Sequence, residues 1–407
     1  MSRVGWPPVR VIGDNHYAMA NPTRRQFLAA TAAAALSSRI LVGSAPGYGQ
    51  PGQESKRIFV GSDTNDGILA FHWDSATGTL TPEGIAAKIP QSTWIALSPD
   101  KQYLYVACEL DQFQGQPTGA VGSFKVESGK LTPISLVPAH GQGTCHLNID
   151  PTGHTVIAAN YSGGTATSFL SIGGKLSEAW NEAYTGSGPV ADRQEKAHAH
   201  FASYSPDNRF AYVNDLGSDK IHIYKLDHAT AKLTPAGTYA AKAGDGPRTL
   251  HFHKNGKAAY CVNELNSTVT VVSWNKVDGS LTPIQTLALL PEGTPTKHDK
   301  ITNTACDAVL TRDGRFAYFA NRGDDFLISF HVDTLTGKLA PFTKNLRVPT
   351  SGKTPRNFAL DPTERWMLIA CQNSSNVTVL ARNPATGELA SEGKTFPAAT
   401  PMCIVFV

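Results

Sequence analysis

Short apolar runs recur along most of the chain, and turns rich in Asp, Asn, Gly and Pro separate them. From residue 57 onward they form a self-similar unit: an apolar run, a polar turn, a second apolar run, an alternating run and a turn of the Gly-Lys-Leu-Thr-Pro type. Runs of this length and alternation are typical of β-strands, so each unit predicts four strands. The unit occurs seven times at intervals of roughly fifty residues, with copies beginning at Ile58, Tyr103, Thr155, Arg209, Lys257, Arg315 and Trp366.

The first copy lacks the apolar run that precedes the turn in every other copy. A matching run, 402–407, stands at the C-terminal end, and its sequence is similar to that of 355–360. We therefore predict an all-β, seven-bladed β-propeller in which strand 402–407 joins the N-terminal blade and closes the ring. Closure would remove the free sheet edges of an open array. A β-sandwich array and two separate barrels are the alternatives.

The first 50 residues predict a targeting segment and linker rather than part of the fold. A twin-arginine pattern at 22–28 precedes an Ala-rich apolar run at 29–36 and small residues at 43–45 that suit cleavage. The predicted organisation is a signal peptide with linker over 1–50 and a propeller over 57–407. Such a signal implies the twin-arginine export machinery and a periplasmic or otherwise exported protein, with Met19 as an alternative start. A chance Arg-Arg pair before a helix is the other interpretation.

Composition excludes several classes of function. Lys and Arg number 36 against 33 Asp and Glu, with no basic stripe, so no nucleic-acid partner is expected. No apolar run reaches the roughly 18–20 residues that span a bilayer, so no transmembrane span is expected after signal removal. The six Cys form no metal-binding spacing and are typical of buried small apolar residues. We expect neither a metal nor another cofactor.

Propeller geometry predicts where polar side chains converge. The inner strand of each blade lines the axis and runs antiparallel to the second strand, so its start and the end of the second strand share one mouth of the channel. We call these two places the mouth positions. On the inner strands they are Thr93, Cys145, His200, Arg248, Cys306, Arg356 and Met402. On the second strands they are Glu109, Tyr161, Asp215, Glu264, Arg322 and Gln372, with Asp63 near the equivalent place in the first blade.

Arginines and carboxylates around one axis would bind an anionic substrate and supply a general base. His200 is the titratable base on an inner strand. Each residue also has a structural interpretation: His200 as a buried core histidine, and Arg248 as an ion-pair partner of Asp215. His198 fits a supporting place in the loop better than a metal pair with His200.

Several of these motifs together resemble the seven-bladed propeller lactonase family, which includes propeller-type 6-phosphogluconolactonases and fungal carboxy-cis,cis-muconate cyclases. The resemblance covers about 57–407. It rests on 198–200 (HAH), 214–219 (NDLGSD), 246–252 (GPRTLHF), 263–265 (NEL), 321–323 (NRG) and 355–358 (PRNF).

The resemblance implies that His200, Arg248, Glu264 and Arg322 are catalytic. The mouth adds Arg356, Asp215, His198 and Glu109 as substrate-binding candidates. The family places a polar residue near Cys306, where Asn303 or Asp307 would substitute.

The leading hypothesis is a hydrolase that opens a sugar-type lactone similar to 6-phosphogluconolactone. Arginines would hold an anionic substrate at the channel mouth, and His200, or Glu264 acting with it, would be the general base. An export signal argues against the phosphate but not against the lactone. The alternatives are a cycloisomerase acting on a muconate-like diacid and a non-catalytic propeller that binds an anionic lactone or sugar acid.

Overall fold

The computed structural model describes residues 57–294 and 303–407, which form seven antiparallel sheets arranged as seven blades. The predicted all-β, seven-bladed propeller is confirmed. Within the described ranges, the single helical element is a 3-10 turn at Gln372–Ser374. No helix there is long and apolar enough to cross a bilayer. The predicted signal and linker, 1–50, lie outside the described residues.

The strands follow the repeat in chain order. The first three blades contain β1 Arg57–Ser62, β2 Ile68–Asp74, β3 Thr79–Ala87, β4 Ser92–Leu97, β5 Tyr103–Cys108, β6 Ala120–Glu127, β7 Lys130–Pro138, β8 Thr144–Ile149, β9 Thr155–Asn160, β10 Thr165–Ile172 and β11 Lys175–Ala183. The fourth and fifth contain β12 Ala199–Tyr204, β13 Phe210–Asp215, β14 Lys220–Asp227, β15 Lys232–Ala240, β16 Pro247–Phe252, β17 Ala258–Asn263, β18 Thr268–Trp274 and β19 Leu281–Ala288. The last two contain β20 Thr304–Leu310, β21 Phe316–Arg322, β22 Phe326–Val332, β23 Leu339–Pro341, β24 Arg347–Pro349, β25 Pro355–Leu360, β26 Trp366–Cys371, β27 Asn376–Ala381 and β28 Lys394–Pro397. The final strand, β29 Pro401–Phe406, belongs to the first blade.

The C-terminal strand β29 is the inner strand of the N-terminal blade. It pairs antiparallel with β1, with Val60 opposite Ile404, and the sheet order is β29-β1-β2-β3. Ile404 lies in an apolar cluster with Val60 and Trp73 of its own blade and Leu368 of the preceding blade. The last strand therefore both completes a sheet and joins two blades, as the sequence predicts.

A β-bulge interrupts each inner strand at the same place, its mouth position. In the fourth blade Ala199 pairs with Asp215 and Phe201 with Asn214, which leaves His200 as the extra residue. A bulge turns the extra side chain out of the regular alternation, and bulges are frequent beside active sites. In the sixth blade two residues, Cys306 and Asp307, share the bulge. The other extra residues are Thr93, Cys145, Arg248, Arg356 and Met402.

The bulged residues of all seven blades line one cavity on the axis. Its volume is about 10 Å³, which is about the space of one water molecule. The rings of Trp94, His146 and Phe201 also line it, with His146 between the other two at centroid distances of 4.4 and 3.9 Å. Because these rings fill the axis, a sugar-sized ligand has to bind at the mouth rather than pass through the channel.

We predict that deleting residues 401–407 abolishes cooperative unfolding, because the deletion strips the inner strand from β1 and uncovers the fully buried Ile58 and Val60. Urea unfolding followed by near-UV circular dichroism would measure this. The control is Val277→Ala at a residue 76% exposed, which we expect to change stability by less than about 0.5 kcal/mol. An unchanged unfolding midpoint in the deletion variant would contradict ring closure.

Candidate active site

One buried carboxylate, Glu264, holds three arginines at the mouth. It follows β17 directly and is 1% exposed. Its Oε2 atom accepts Nη1 of Arg248 at 2.5 Å and lies 3.0 Å from Nη2 of Arg322. Its Oε1 atom accepts Nη2 of Arg193 at 2.5 Å. Three guanidinium charges against one carboxylate leave this cluster cationic, which suits an anionic ligand.

Arg248 and Arg322 come from adjacent blades. Arg248 is the bulged residue of β16, and its Nε atom donates to the carbonyl of Cys306 at 2.7 Å, so both ends of its guanidinium are fixed. Arg322 is the last residue of β21. Its Nε atom is buried and has no hydrogen-bond partner among the described residues. The sequence predicts that these two arginines and Glu264 meet at the mouth, and their contacts agree with that.

His200 lies in the same cavity as Arg248 and is 6% exposed. Its ring stands edge-on to that of Tyr161, with centroids 5.7 Å apart. Its Nδ1 atom is buried with no hydrogen-bond partner in the described part of the chain. Burial, reinforced by the positive charge of Arg248, holds the pKa of His200 well below its usual value, although Glu264 acts in the opposite direction. The imidazole is therefore neutral at neutral pH and able to accept a proton.

The pKa of Glu264 is lower than that of an effective general base. Burial alone would raise the pKa of Glu264, but Arg322, Arg248 and Arg193 outweigh it and hold the pKa well below the usual value. Both oxygens of this carboxylate are paired with guanidinium groups, whereas Nδ1 of His200 has no hydrogen-bond partner among the described residues, so Glu264 is the poorer proton acceptor of the two. Its contacts fit a residue that positions the arginines.

A second, looser pair lies at the mouth. Nη2 of Arg356 is 3.9 Å from Oε2 of Glu109, and the two side chains are 21% and 27% exposed. Arg356 also lines the axial cavity. An ion pair at this distance, open to solvent, contributes little on its own. Arg356 and Glu109 are therefore free to exchange their mutual contact for a ligand.

His198 has a supporting role beside the site. Its Nδ1 atom is 2.9 Å from the carbonyl oxygen of Tyr161, its Nε2 atom is 3.0 Å from Glu195, and its ring stacks on that of Tyr161. Both ring nitrogens are thus engaged by the protein. Of the two predicted interpretations, these contacts favour the supporting one over substrate binding.

Asp215 lies one residue away from the mouth register. Asp215 occupies the strand position that Asn160, Asn263 and Asn321 occupy in their blades, where each is paired within the sheet. The residue equivalent to Glu264 is therefore Leu216, the next one along the chain. A shift of one residue turns a strand side chain to the other face. The structure therefore does not bring Asp215 to the substrate-binding position that the sequence alignment assigned to it.

The carboxylate of Asp215 stabilises the turn that follows β13. It accepts the amides of His198, Gly217 and Ser218 as well as the Ser218 hydroxyl, and it is fully buried. Arg248 pairs with Glu264 rather than with Asp215, contrary to the structural interpretation offered for it.

Arg193 is a member of the cluster that the sequence pattern does not predict. It lies on the connection between β11 and β12, one of the two longest connections between blades and outside the repeat, so no alignment of blades could bring it to the mouth. Its Nη2 atom also donates to the hydroxyl of Tyr161 at 3.3 Å. Long connections in compact domains often carry function, and the length of 184–198 was the available signal.

Of the two predicted substitutes near Cys306, Asp307 lines the cavity and Asn303 does not. Asp307 lies 2.9 Å from Nε2 of His251 and accepts Nδ2 of Asn357 at 3.0 Å. Asn303 instead accepts from Asn321 and from the amide of Asp324, so it supports the turn after Arg322.

The described residues contain no group of three or more His, Cys, Asp or Glu that could hold a metal. All six cysteines are free and buried. Burial raises the pKa of Cys145, at the cavity, to about 12, so its thiol is not activated as a nucleophile.

Fold and site together define a closed propeller with a cationic mouth, built on one carboxylate beside a neutral histidine. The chain belongs to the seven-bladed β-propeller lactonase family: the family model described as "Lactonase, 7-bladed beta-propeller" matches residues 57–406. The resemblance inferred from the sequence motifs is thereby confirmed.

Relatives and solved structures agree with this membership. The chain is 33% identical over 357 residues to a 6-phosphogluconolactonase of Bacillus subtilis, covering 86% of this chain and 97% of the relative. It is 31% identical to a 6-phosphogluconolactonase of Formosa agariphila, covering 82% and 94%. The periplasmic gluconolactonase of Pseudomonas aeruginosa superposes with a TM-score of 0.79 at 29% identity, covering 86% of this chain and 98% of that one.

We predict that Asp215→Asn lowers the free energy of unfolding at pH 7 by about 1–3 kcal/mol, because buried amide and hydroxyl donors lose a charged acceptor. Burial raises the pKa of Asp215, but the nearby His222 ring and hydrogen bonds from Ser218 and the His198 amide outweigh burial, so the pKa lies below 3.8. A lowered native pKa stabilises the protein above pH 4 or so, and this stabilisation is lost as the pH falls further.

Urea unfolding of wild type and Asp215→Asn from pH 7 down to pH 3 would measure this: the difference should narrow below about pH 4. Asp111→Asn, at an exposed loop residue, is the control. A variant of unchanged stability with a selectively raised KM would instead show that Asp215 binds substrate.

Proposed function

We propose that this protein is a hydrolase that opens a sugar-type lactone. The observation that carries the proposal is the cluster of Arg193, Arg248 and Arg322 on Glu264, next to His200, whose pKa keeps it neutral. Arginines suit the negative charge that develops when a lactone carbonyl is attacked, and a neutral imidazole suits the activation of water. The names of the relatives support the same reaction class.

In the proposed mechanism His200 takes a proton from water as the water oxygen attacks the lactone carbonyl carbon. Arg248 and Arg322 stabilise the resulting oxyanion. As the intermediate collapses, the bond between the carbonyl carbon and the ring oxygen breaks, and His200 returns the proton to the departing alkoxide. The products are a carboxylic acid, which ionises, and a free hydroxyl.

Glu264 positions the arginines in this mechanism and takes no proton. This role differs from the joint His/Glu base that the sequence suggests, because three arginines strongly stabilise the ionised carboxylate. Arg356 and Glu109, at the more open part of the mouth, would contact the sugar hydroxyls. No resident cofactor is needed for any step.

We also propose export to the periplasm by the twin-arginine machinery. The support is the pattern at 22–28 in the sequence and the similarity to a periplasmic gluconolactonase. In that compartment an unphosphorylated lactone is a natural substrate, while the relatives named 6-phosphogluconolactonase make the phosphorylated one the other candidate.

We predict that His200→Ala lowers kcat/KM for lactone hydrolysis roughly 100- to 10,000-fold by removing the general base. Arg248→Lys should lower kcat roughly 100- to 1,000-fold, because an ammonium cannot contact both Glu264 and the oxyanion as the guanidinium does. A pH-stat assay over phosphorylated and unphosphorylated sugar lactones would measure both, with the spontaneous rate subtracted.

The control is Arg209→Gln, at an exposed turn on the face opposite the mouth, which should keep wild-type activity. Thermal melts would verify that each variant is folded. Full activity in folded His200→Ala and Arg248→Lys would overturn the assignment. Stabilisation of the wild type by sugar acids without turnover would indicate a binding propeller, and turnover of a muconate-like diacid instead of lactones would indicate a cycloisomerase.

We predict that kcat/KM declines on the acid side with an apparent pKa well below 6.5, because burial and Arg248 lower the pKa of His200. Protonation of His200 removes the base, so activity is present above this pKa and lost below it. The pH–rate profile of the wild type should show the decline, and that of His200→Ala should lack it. A decline centred at or above pH 6.5 would contradict the proposed environment of His200.

A further inference from the structure

We propose that Arg193 is a specificity-determining residue that binds an anionic group on the substrate, remote from the lactone carbonyl. The inference rests on the proposed hydrolase activity and deepens it, because it assigns the selection of charged over neutral lactones to one side chain. Its basis is the contacts, exposure and anchoring of Arg193.

Arg193 is the most exposed of the three arginines on Glu264, at 29% against 6% for Arg248 and 13% for Arg322. A guanidinium carries five N–H groups. Of the guanidinium nitrogens of Arg193, only Nη2 makes hydrogen bonds to described residues, to Glu264 and Tyr161. Arg248 is 6% exposed and held at both ends, by Cys306 and Glu264. Arg193 is thus the member of the cluster that faces solvent and can meet an incoming anion.

The two oxygens of Glu264 separate the roles of the arginines. Arg248 and Arg322 share Oε2, whereas Arg193 alone contacts Oε1. When Arg193 turns part of its guanidinium toward a ligand, the pairs on Oε2 stay in place. The arginines assigned to the carbonyl and the arginine assigned to the remote group are therefore separable by mutation.

The loop that carries Arg193 is anchored to the mouth itself. Val190 packs against Leu216 and Leu265, the residues that follow Asp215 and Glu264. Gln194 is fully buried, and its Nε2 atom donates to the carbonyl of Leu216 at 2.9 Å. With an anchor on each side, Arg193 is held over Glu264. A bidentate guanidinium fixed in this way recognises phosphate or carboxylate oxygens better than a flexible ammonium.

The test compares glucono-1,5-lactone with its 6-phosphate ester and with a glucaric acid lactone that bears a free carboxylate. Wild type, Arg193→Gln, Arg193→Lys and the control Arg209→Gln are assayed at fixed ionic strength. We expect the wild type to prefer at least one charged lactone. In Arg193→Gln the ratio of kcat/KM for that lactone to kcat/KM for the neutral one should fall about 10- to 100-fold, chiefly through KM.

Arg193→Lys should retain part of the ratio, because lysine keeps the positive charge but lacks the bidentate guanidinium. Arg209→Gln should leave the ratio unchanged. Equal losses for charged and neutral lactones in Arg193→Gln would overturn the proposal, since they would show that Arg193 only positions Glu264. A wild type with no preference for either charged lactone would also overturn it. A wild type that hydrolyses no lactone would instead refute the proposed function, so the two failures are distinguishable.

Discussion

The ion pairing of Glu264 with Arg193, Arg248 and Arg322 is the interaction on which the site depends. Guanidinium groups brought this close repel one another, and burial increases the cost. A single carboxylate, itself almost fully buried, accepts hydrogen bonds or ion pairs from all three and so permits this concentration of positive charge at the mouth. Removal of that carboxylate would leave uncompensated charges in a buried place.

The propeller supplies the geometry for this pairing. Glu264 and Arg248 lie in the fifth blade, Arg322 in the sixth, and Arg193 on the connection into the fourth. Arg248 reaches Glu264 from the bulge of its own inner strand. The neighbouring elements bring Arg322 and Arg193 to the same carboxylate. The bulges that hold His200 and Arg248 at the mouth are thus features of the site as well as of the fold.

The sequence alone predicted the ring, and it predicted which strand residues converge at the candidate site, because the repeat preserves register. His200 and Arg248 stand at a fixed distance before the turn that follows the inner strand. This distance predicts their place at the mouth because every blade has its bulge at the same position. The prediction for Asp215 is one position off because its blade has an acidic residue where three other blades have Asn, and this polar side chain takes the place of the mouth residue in the sequence pattern. Arg193 and the ionisation of Glu264 depend on distances that no pattern of residues encodes.

A crystal structure with a bound aldonic acid, the hydrolysis product, tests the central claim most directly. We predict that its carboxylate contacts the guanidinium groups of Arg248 or Arg322 and approaches the His200 ring, with the Glu264 pairs on Oε2 intact. An acid bound away from the mouth, for example in the apolar groove beside Leu69 and Ile85, would contradict the claim that this arginine cluster is the active site.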